Sequence, residues 1–362
     1  MVKLAILTIS QLRGLFRLYF ETLPKPWSKT VFNCLLTSFY LSVQSMFLIS
    51  IANADQLAWP AVPHESRISF VDEIRTASDT GIEVGKFRKF LRFVLGGEAG
   101  EGAILKPISV HVDRQGALYV TDQAVLGVHV FNPNENKYDF IHAAGNKDLL
   151  SPVDVEVSAS GNVYVSDSQL GEVAVYNRAF KYQFSIKGYF SRPTGLSIKD
   201  DLLYVVDTGL HKVLIFDLKG VLQGEFGQRG VEAGQFNYPI FLDTRNNIYI
   251  NDALNFRLQV LNANYETIGL FGHQGDVQGT FARSKGVGVD SDENIYVSDA
   301  LFNAFQIFNP QGQLLLVVGS KGRNAGQFQM PGGIHIDEND RIYVADTMNG
   351  RIQIFQYHGA SE

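Results

Sequence analysis

Apolar and polar positions along this chain fall into a repeat. One phrase recurs, an aromatic residue and β-forming residues ending in Asp, most cleanly as Ile342-Tyr343-Val344-Ala345-Asp346. Its six copies carry Tyr119, Tyr164, Tyr204, Tyr249, Tyr296 and Tyr343, spaced 45, 40, 45, 47 and 47 residues apart. Nine residues after each Asp an alternating apolar run ends, from Val128-His129-Val130-Phe131 in the first copy to Ile352-Gln353-Ile354-Phe355 in the last. Alternation with period two predicts strands with one face buried. A constant inner interval inside a variable outer period describes a fixed supersecondary unit joined by loops of differing length. Strand-rich periods of this size are the blades of a β-propeller. Each unit opens with a short apolar strand after Pro107, Pro152, Pro193, Pro239 or Pro331, with Ser284 in the fifth, and then takes a polar turn. Fourth strands are clearest at 221–226, 267–271 and 313–318. The predicted fold is all-β: a six-bladed propeller of four-stranded antiparallel blades over residues 107–362.

The sixth copy lacks its last strand, since only residues 356–362 follow Phe355. An open edge would leave backbone groups unpaired, so an upstream strand is expected to close the ring. Residues 67–74 alternate like a strand. Residues 89–95 have the better offset to the following Pro, but Phe87, Phe90, Leu91 and Val94 lie at helical spacing. The first segment is therefore preferred as donor. Residues 55–66, with Pro60 and Pro63, read as a linker, and 67–106 as a closing strand plus a short helix packed on the propeller.

Residues 1–54 read as a leader and signal peptide. Lys3, Arg13, Arg17, Lys25 and Lys29 precede an uncharged run, 31–51, that ends in Ala52-Asn53-Ala54 before Asp55. Processing between Ala54 and Asp55 is expected, giving a periplasmic or secreted protein; an uncleaved run would instead anchor it to a membrane. Cleavage also removes Cys34, the single cysteine. A formal net charge of −6 argues against nucleic acid as a partner, because such binders are basic. Another exported or membrane protein is the expected partner.

Gly234-Gln235-Phe236 leading to Pro239, Gly326-Gln327-Phe328 leading to Pro331, and Asp-x-x-Asn-x-Arg at Asp252/Asn255/Arg257 and Asp346/Asn349/Arg351 resemble NHL repeats. The resemblance covers about residues 67–357 and is closest in arrangement to exported bacterial six-bladed NHL proteins. Blades 1, 2 and 5 depart from it, with Leu126, Leu170 and Phe302 in place of the Asn. The resemblance implies one of three roles: RNA or protein binding, channel metal chemistry like that of the amidating lyase, or extracellular adaptor work. The lyase histidines would match Ile108, Val153, Thr194, Ile240, Lys285 and Gly332, and none of these is a histidine. That activity is not implied.

Two constellations remain. His111, Glu156 and His335 lie eight residues before their motif Tyr on blades 1, 2 and 6, which are neighbours in a closed ring. Two imidazoles and a carboxylate near the axis suit a transition metal or acid–base work, with Asp154 on the same strand face; plain inter-blade hydrogen bonding is the other reading. The second constellation lies on loops. Phe256, Phe302 and Met348 form a candidate protein-binding patch flanked by Asn255, Asn303, Lys321 and Arg323, while Leu254 and Leu301 are expected to tuck under neighbouring loops. The six motif Asp residues read as structural. The expected function is a non-catalytic binding scaffold without a cofactor; the alternative is a metal-dependent hydrolase or lyase using the channel.

Overall fold

The computed structural model describes residues 57–61, 64–83 and 102–359. The leader with its signal segment and the helix expected at 86–95 lie outside the described residues. Six antiparallel sheets surround a central channel. Blade 1 runs Pro107–Val112, Leu118–Asp122, Gly127–Asn132 and Lys137–Ile141 from the axis outward; blades 2 to 5 repeat this four-strand order through Leu314–Val318. Innermost strands of successive blades touch, including Pro331–Ile336 of blade 6 against Pro107–Val112 of blade 1.

Blade 6 is assembled from both ends of the described chain. Ile68–Ile74 pairs antiparallel with Arg351–Tyr357, running from Ile68 opposite Tyr357 to Ile74 opposite Ile352. Its apolar residues follow the inward face: Ile68 is fully buried and Ile74 nearly so, whereas Val71, at the bulge, is exposed. Ala58–Trp59 then adds a fifth strand outside it. The stretch expected to be a linker thus supplies an edge strand. Two residues are too short to show alternation, but Trp59 packs edge-on against Phe355 at 5.7 Å between ring centres. The Trp59 ring also lies where a side chain on Gly326 would start, 2.6 Å from an added Cβ, so that position requires glycine.

Why the phrase repeats is now physical. All six motif tyrosines are buried, and Asp122, Asp167, Asp207, Asp252, Asp299 and Asp346 have no exposed surface. Each carboxylate accepts backbone N–H groups from the connection entering its own blade, as Asp167 does from Leu150 at 2.7 Å and Ser151 at 3.0 Å. A buried carboxylate is tolerated only when its lone pairs are filled. In blades 4 and 6 an arginine joins in: Arg257 Nε and Arg351 Nε each lie 2.8 Å from their Asp. Arg351 also pairs with Glu73 on the closing strand, tying the latch to the motif.

A second device holds the connections of blades 4, 5 and 6. Gln259, Gln306 and Gln353 accept from the backbone N–H of Gly234, Gly279 and Gly326 and donate to Gln235, Thr280 and Gln327 carbonyls. Beside each lies a fully buried phenylalanine, Phe236, Phe281 or Phe328. Blade 1 substitutes His129, whose Nδ1 lies 2.9 Å from the Tyr138 hydroxyl and whose Nε2 lies 3.6 Å from Asp122.

Candidate functional site: the two mouths of the channel

Strand pairing fixes which side chains share a level of the channel. Opposite the six motif tyrosines stand His111, Glu156, Ser197, Asp243, Gly288 and His335. These residues form a ring near the lower mouth, where the first-to-second-strand turns emerge. Those turns differ in length. The residue opposite the tyrosine lies eight positions before it in blades 1, 2, 5 and 6, seven in blade 3 and six in blade 4. A fixed offset of eight finds His111, Glu156 and His335 and passes over Ser197 and Asp243. The missing signal was hairpin length.

The structure brings the three expected residues together. His111 Nδ1 lies 3.1 Å from Glu156 Oε2, and the His111 and His335 rings are 4.6 Å apart between centres. His111 Nδ1 and His335 Nε2 are buried without a hydrogen-bond partner. Burial disfavours every charged form here. It pushes the Glu156 carboxyl up to about 8 and lowers His111 to about 4. His335 is held well below the usual imidazole range, by burial first and the His111 charge second. Asp243 rises to about 6 by burial, with Arg245 opposing and Glu156 reinforcing the rise. Near neutrality His111, His335 and Glu156 are therefore uncharged, while Asp243 is mostly ionised beside Arg245. Among the described residues no group of three or more His, Cys, Asp or Glu side chains is arranged to hold a metal ion. The donor types nonetheless suit one, and two imidazole lone pairs lack partners.

Below this ring a cavity of about 850 Å³ opens, lined by the turns that carry Asp113, Asp200, Asp337 and Glu338. Arg245 lies across it, donating to the Val289 carbonyl at 2.9 Å and the Asp337 carbonyl at 3.0 Å. It thereby ties blade 4 to blades 5 and 6. Asp154 is not part of the ring. It lies deeper, accepting the Ser109 hydroxyl at 2.5 Å and the Leu196 N–H at 2.8 Å, so it staples blades 1, 2 and 3. Burial raises it to about 7.

The upper face carries the second-to-third-strand loops and the blade-to-blade connections. Here the expected patch is rearranged. Met348 is exposed, as are Leu254 and Leu301, which do not tuck under neighbouring loops: 52%, 50% and 59% of their surface is free. Phe256 instead takes the left-handed cap after 253–255, with φ 54°, and packs against the core of blades 4 and 5. Phe302 is half-buried. The reason is local. In blades 4 to 6 the second residue after the Asp is exposed at the loop tip or beside it, and the fourth is a left-handed residue just before the next strand. Asn255 donates to the Gly230 carbonyl and Asp252, and Asn303 accepts from Met330 N–H, so both serve the fold. Lys321 and Arg323 are exposed on the connection entering blade 6.

Comparison with known proteins agrees with this architecture. The NHL repeat model matches residues 328–355, which hold the Phe328 connection, the motif Asp346 and Arg351. A streptogramin B lyase structure is similar at 11% identity and TM-score 0.53, over 70% of this chain and 94% of that one. A protein of unknown function from Bacteroides thetaiotaomicron VPI-5482 matches at 17% identity and TM-score 0.56, over 81% and 76%. An auxiliary nutrient binding protein from the same organism matches at 14% and 0.56, over 72% and 71%. At such identities the likeness is one of fold. The chain is a six-bladed β-propeller whose closing blade carries an NHL repeat.

Proposed function

We propose that this propeller is a non-catalytic scaffold, exported by its N-terminal segment, that docks another protein on its upper face. The observation that carries the reading is the repetition of Leu254, Leu301 and Met348, exposed at one loop position on three consecutive blades. A loop tip that serves only as a turn has no use for an apolar side chain. Apolar anchors inside a polar rim are what a protein-binding surface needs. Exposed Lys321 and Arg323 on that rim favour an acidic partner surface that also presents apolar side chains. The test is site-specific photocrosslinking in the native cell. A crosslinker at Leu301 should trap one discrete protein, and one at Gln223 on an outer strand should not. With the crosslinker kept at position 301, combined Leu254→Ser and Met348→Ser should abolish the product without moving the melting temperature. Equal trapping from both positions would end the proposal.

A second reading rests on the unpartnered nitrogens of His111 and His335 beside Glu156. These three would hold a transition metal, which when bound supplies Lewis-acid chemistry for a hydrolase or lyase. Stoichiometric metal in purified protein, lost on His111→Ala, would favour it over the scaffold.

A further inference from the structure

The upper mouth of the channel is basic in a chain of formal net charge −6. One residue precedes each innermost strand. Lys106, Arg192 and Arg283 fill that position in blades 1, 3 and 5, and all three are exposed. One step inside, the collar consists of Ile108, Val153, Thr194, Ile240, Lys285 and Gly332, so half-buried Lys285 is its single charge. The collar is tight: a Cβ added at Gly332 would fall 2.6 Å from the Ile108 carbonyl oxygen of the next blade. The Lys285 backbone is fixed by Asn251, which donates to its carbonyl at 2.6 Å.

Among the described residues these cations form no ion pair, and the Asp299 carboxylate offsets the charge on Lys285 only in part. Among the described residues, no side-chain hydrogen bond or salt bridge is made by Lys106, Arg192, Arg283 or Lys285. The nearest motif carboxylates are occupied, since Asp122, Asp207 and Asp299 accept the backbone N–H groups of Lys106, Arg192 and Arg283. Burial holds Lys285 below the usual ammonium range, and so do the Arg283 and Arg192 guanidiniums, the latter from two blades away, with Asp299 opposing. Like charges gathered in a partly desolvated collar, with no carboxylate in salt-bridge contact, are made more favourable by an anion that reaches their side-chain ends.

We infer that the upper mouth is a binding site for a carboxylate carried on a short aliphatic stem. The ammonium of Lys285 meets the carboxylate inside the collar. The forked guanidiniums of Arg192 and Arg283 cover its outer oxygens, a geometry arginine provides and lysine does not. Ile108, Val153 and Ile240 enclose the stem. The inference rests on the docking proposal, with the carboxylate supplied by an acidic side chain or chain terminus of the partner at the centre of the face. A free dicarboxylic acid has the same chemistry, and the experiment separates the two sources.

Full-length protein is titrated with hexaglutamate peptide, with glutarate and with sodium phosphate at constant ionic strength, chloride serving as control, and binding is read by calorimetry. Hexaglutamate should bind, and Lys285→Gln or combined Arg192→Gln and Arg283→Gln should weaken it at least tenfold. Glutarate binding as tightly as the peptide would assign the site to a free acid. Phosphate outcompeting both, or Lys285→Gln binding like wild type, would overturn the inference. Lys285→Gln should also melt no lower than wild type, because a like charge is removed; an early melt would mean the lysine is structural. Crosslinking from Leu301 distinguishes the two proposals. If Lys285→Gln crosslinks at wild-type yield, docking stands and the carboxylate site falls. If the Leu254→Ser, Met348→Ser variant crosslinks normally while Lys285→Gln does not, the carboxylate site stands and holds the partner, and the apolar loop tips do not.

Discussion

The six motif aspartates occupy one position but do not carry equal weight. Asp346 faces Arg351, whose side chain is 1% exposed. Asp346→Ala would remove the buried carboxylate on that guanidinium and leave it Glu73 and two backbone carbonyls, at a cost of about 3–5 kcal/mol. Asp299 has no arginine and accepts backbone N–H groups, so Asp299→Ala should cost about 1–3 kcal/mol. Urea denaturation checks the order, and equal losses would refute the distinction. Glu156 gives a pH-dependent expectation. Its folded pKa, about 8, lies above its unfolded value. Its contribution is therefore complete below about pH 4.5 and is lost as pH rises towards 8. Glu156→Gln removes that loss while an amide N–H still reaches His111. The variant should gain up to about 5 kcal/mol relative to wild type between pH 4.5 and 8.5; a difference that does not change with pH would show that Glu156 ionises freely in the channel. At this scale the sequence was partly legible. His111, Glu156 and His335 follow from a constant offset, but Asp243 and Ser197 are hidden by shorter turns. Phe256 looks like a surface anchor by type, yet its left-handed cap directs it into the core.

At the scale of elements, strands were the legible part because alternation and burial are the same fact seen twice. Ile68–Ile74 could be chosen over 89–95 on period alone. The Ala58–Trp59 strand could not be found, since two residues have no period and their place depends on an aromatic contact 296 positions away, between Trp59 and Phe355. The register of the closing strand makes a sharp expectation. Ile68, fully buried, and Val71, 43% exposed, lie three residues apart, with Val71 at the bulge itself. Ile68→Ala should cost about 2–5 kcal/mol, and Val71→Ala should stay within about 0.5 kcal/mol. Similar losses at both sites would mean the register is wrong.

For the whole molecule, six similar blades leave one seam, and the seam is where the chain's distant parts meet. Deleting residues 57–74 would expose the whole edge of Arg351–Tyr357 and remove Glu73, one of the two carboxylates on the Arg351 guanidinium. The deletion variant should lose its single sharp thermal transition and melt broadly at lower temperature. A wild-type melt would show that blade 6 stands on three strands. Ring closure was legible because a blade count that ends one strand short demands a donor. The character of the two mouths was not, because charge there depends on which residues the turns bring to a common level: acidic turns around the lower mouth, and Lys106, Arg192 and Arg283 around the upper.

That seam also sets a timetable. Ser69 and His358 hydrogen-bond across 289 positions, and the strand that needs this pairing is made before any blade. During synthesis Ile68–Ile74 must wait, unpaired, until the last described residues leave the ribosome. Pairings between such remote segments are slow to form, because loop closure must precede any reward from contact. Five blades can collapse early, and the last step is a search by one strand for one edge. Refolding should therefore show a late phase that Ile68→Ala slows and that changes in the middle blades leave alone. Until that phase is complete, Arg351–Tyr357 is an unpaired edge of the sort that other chains can capture.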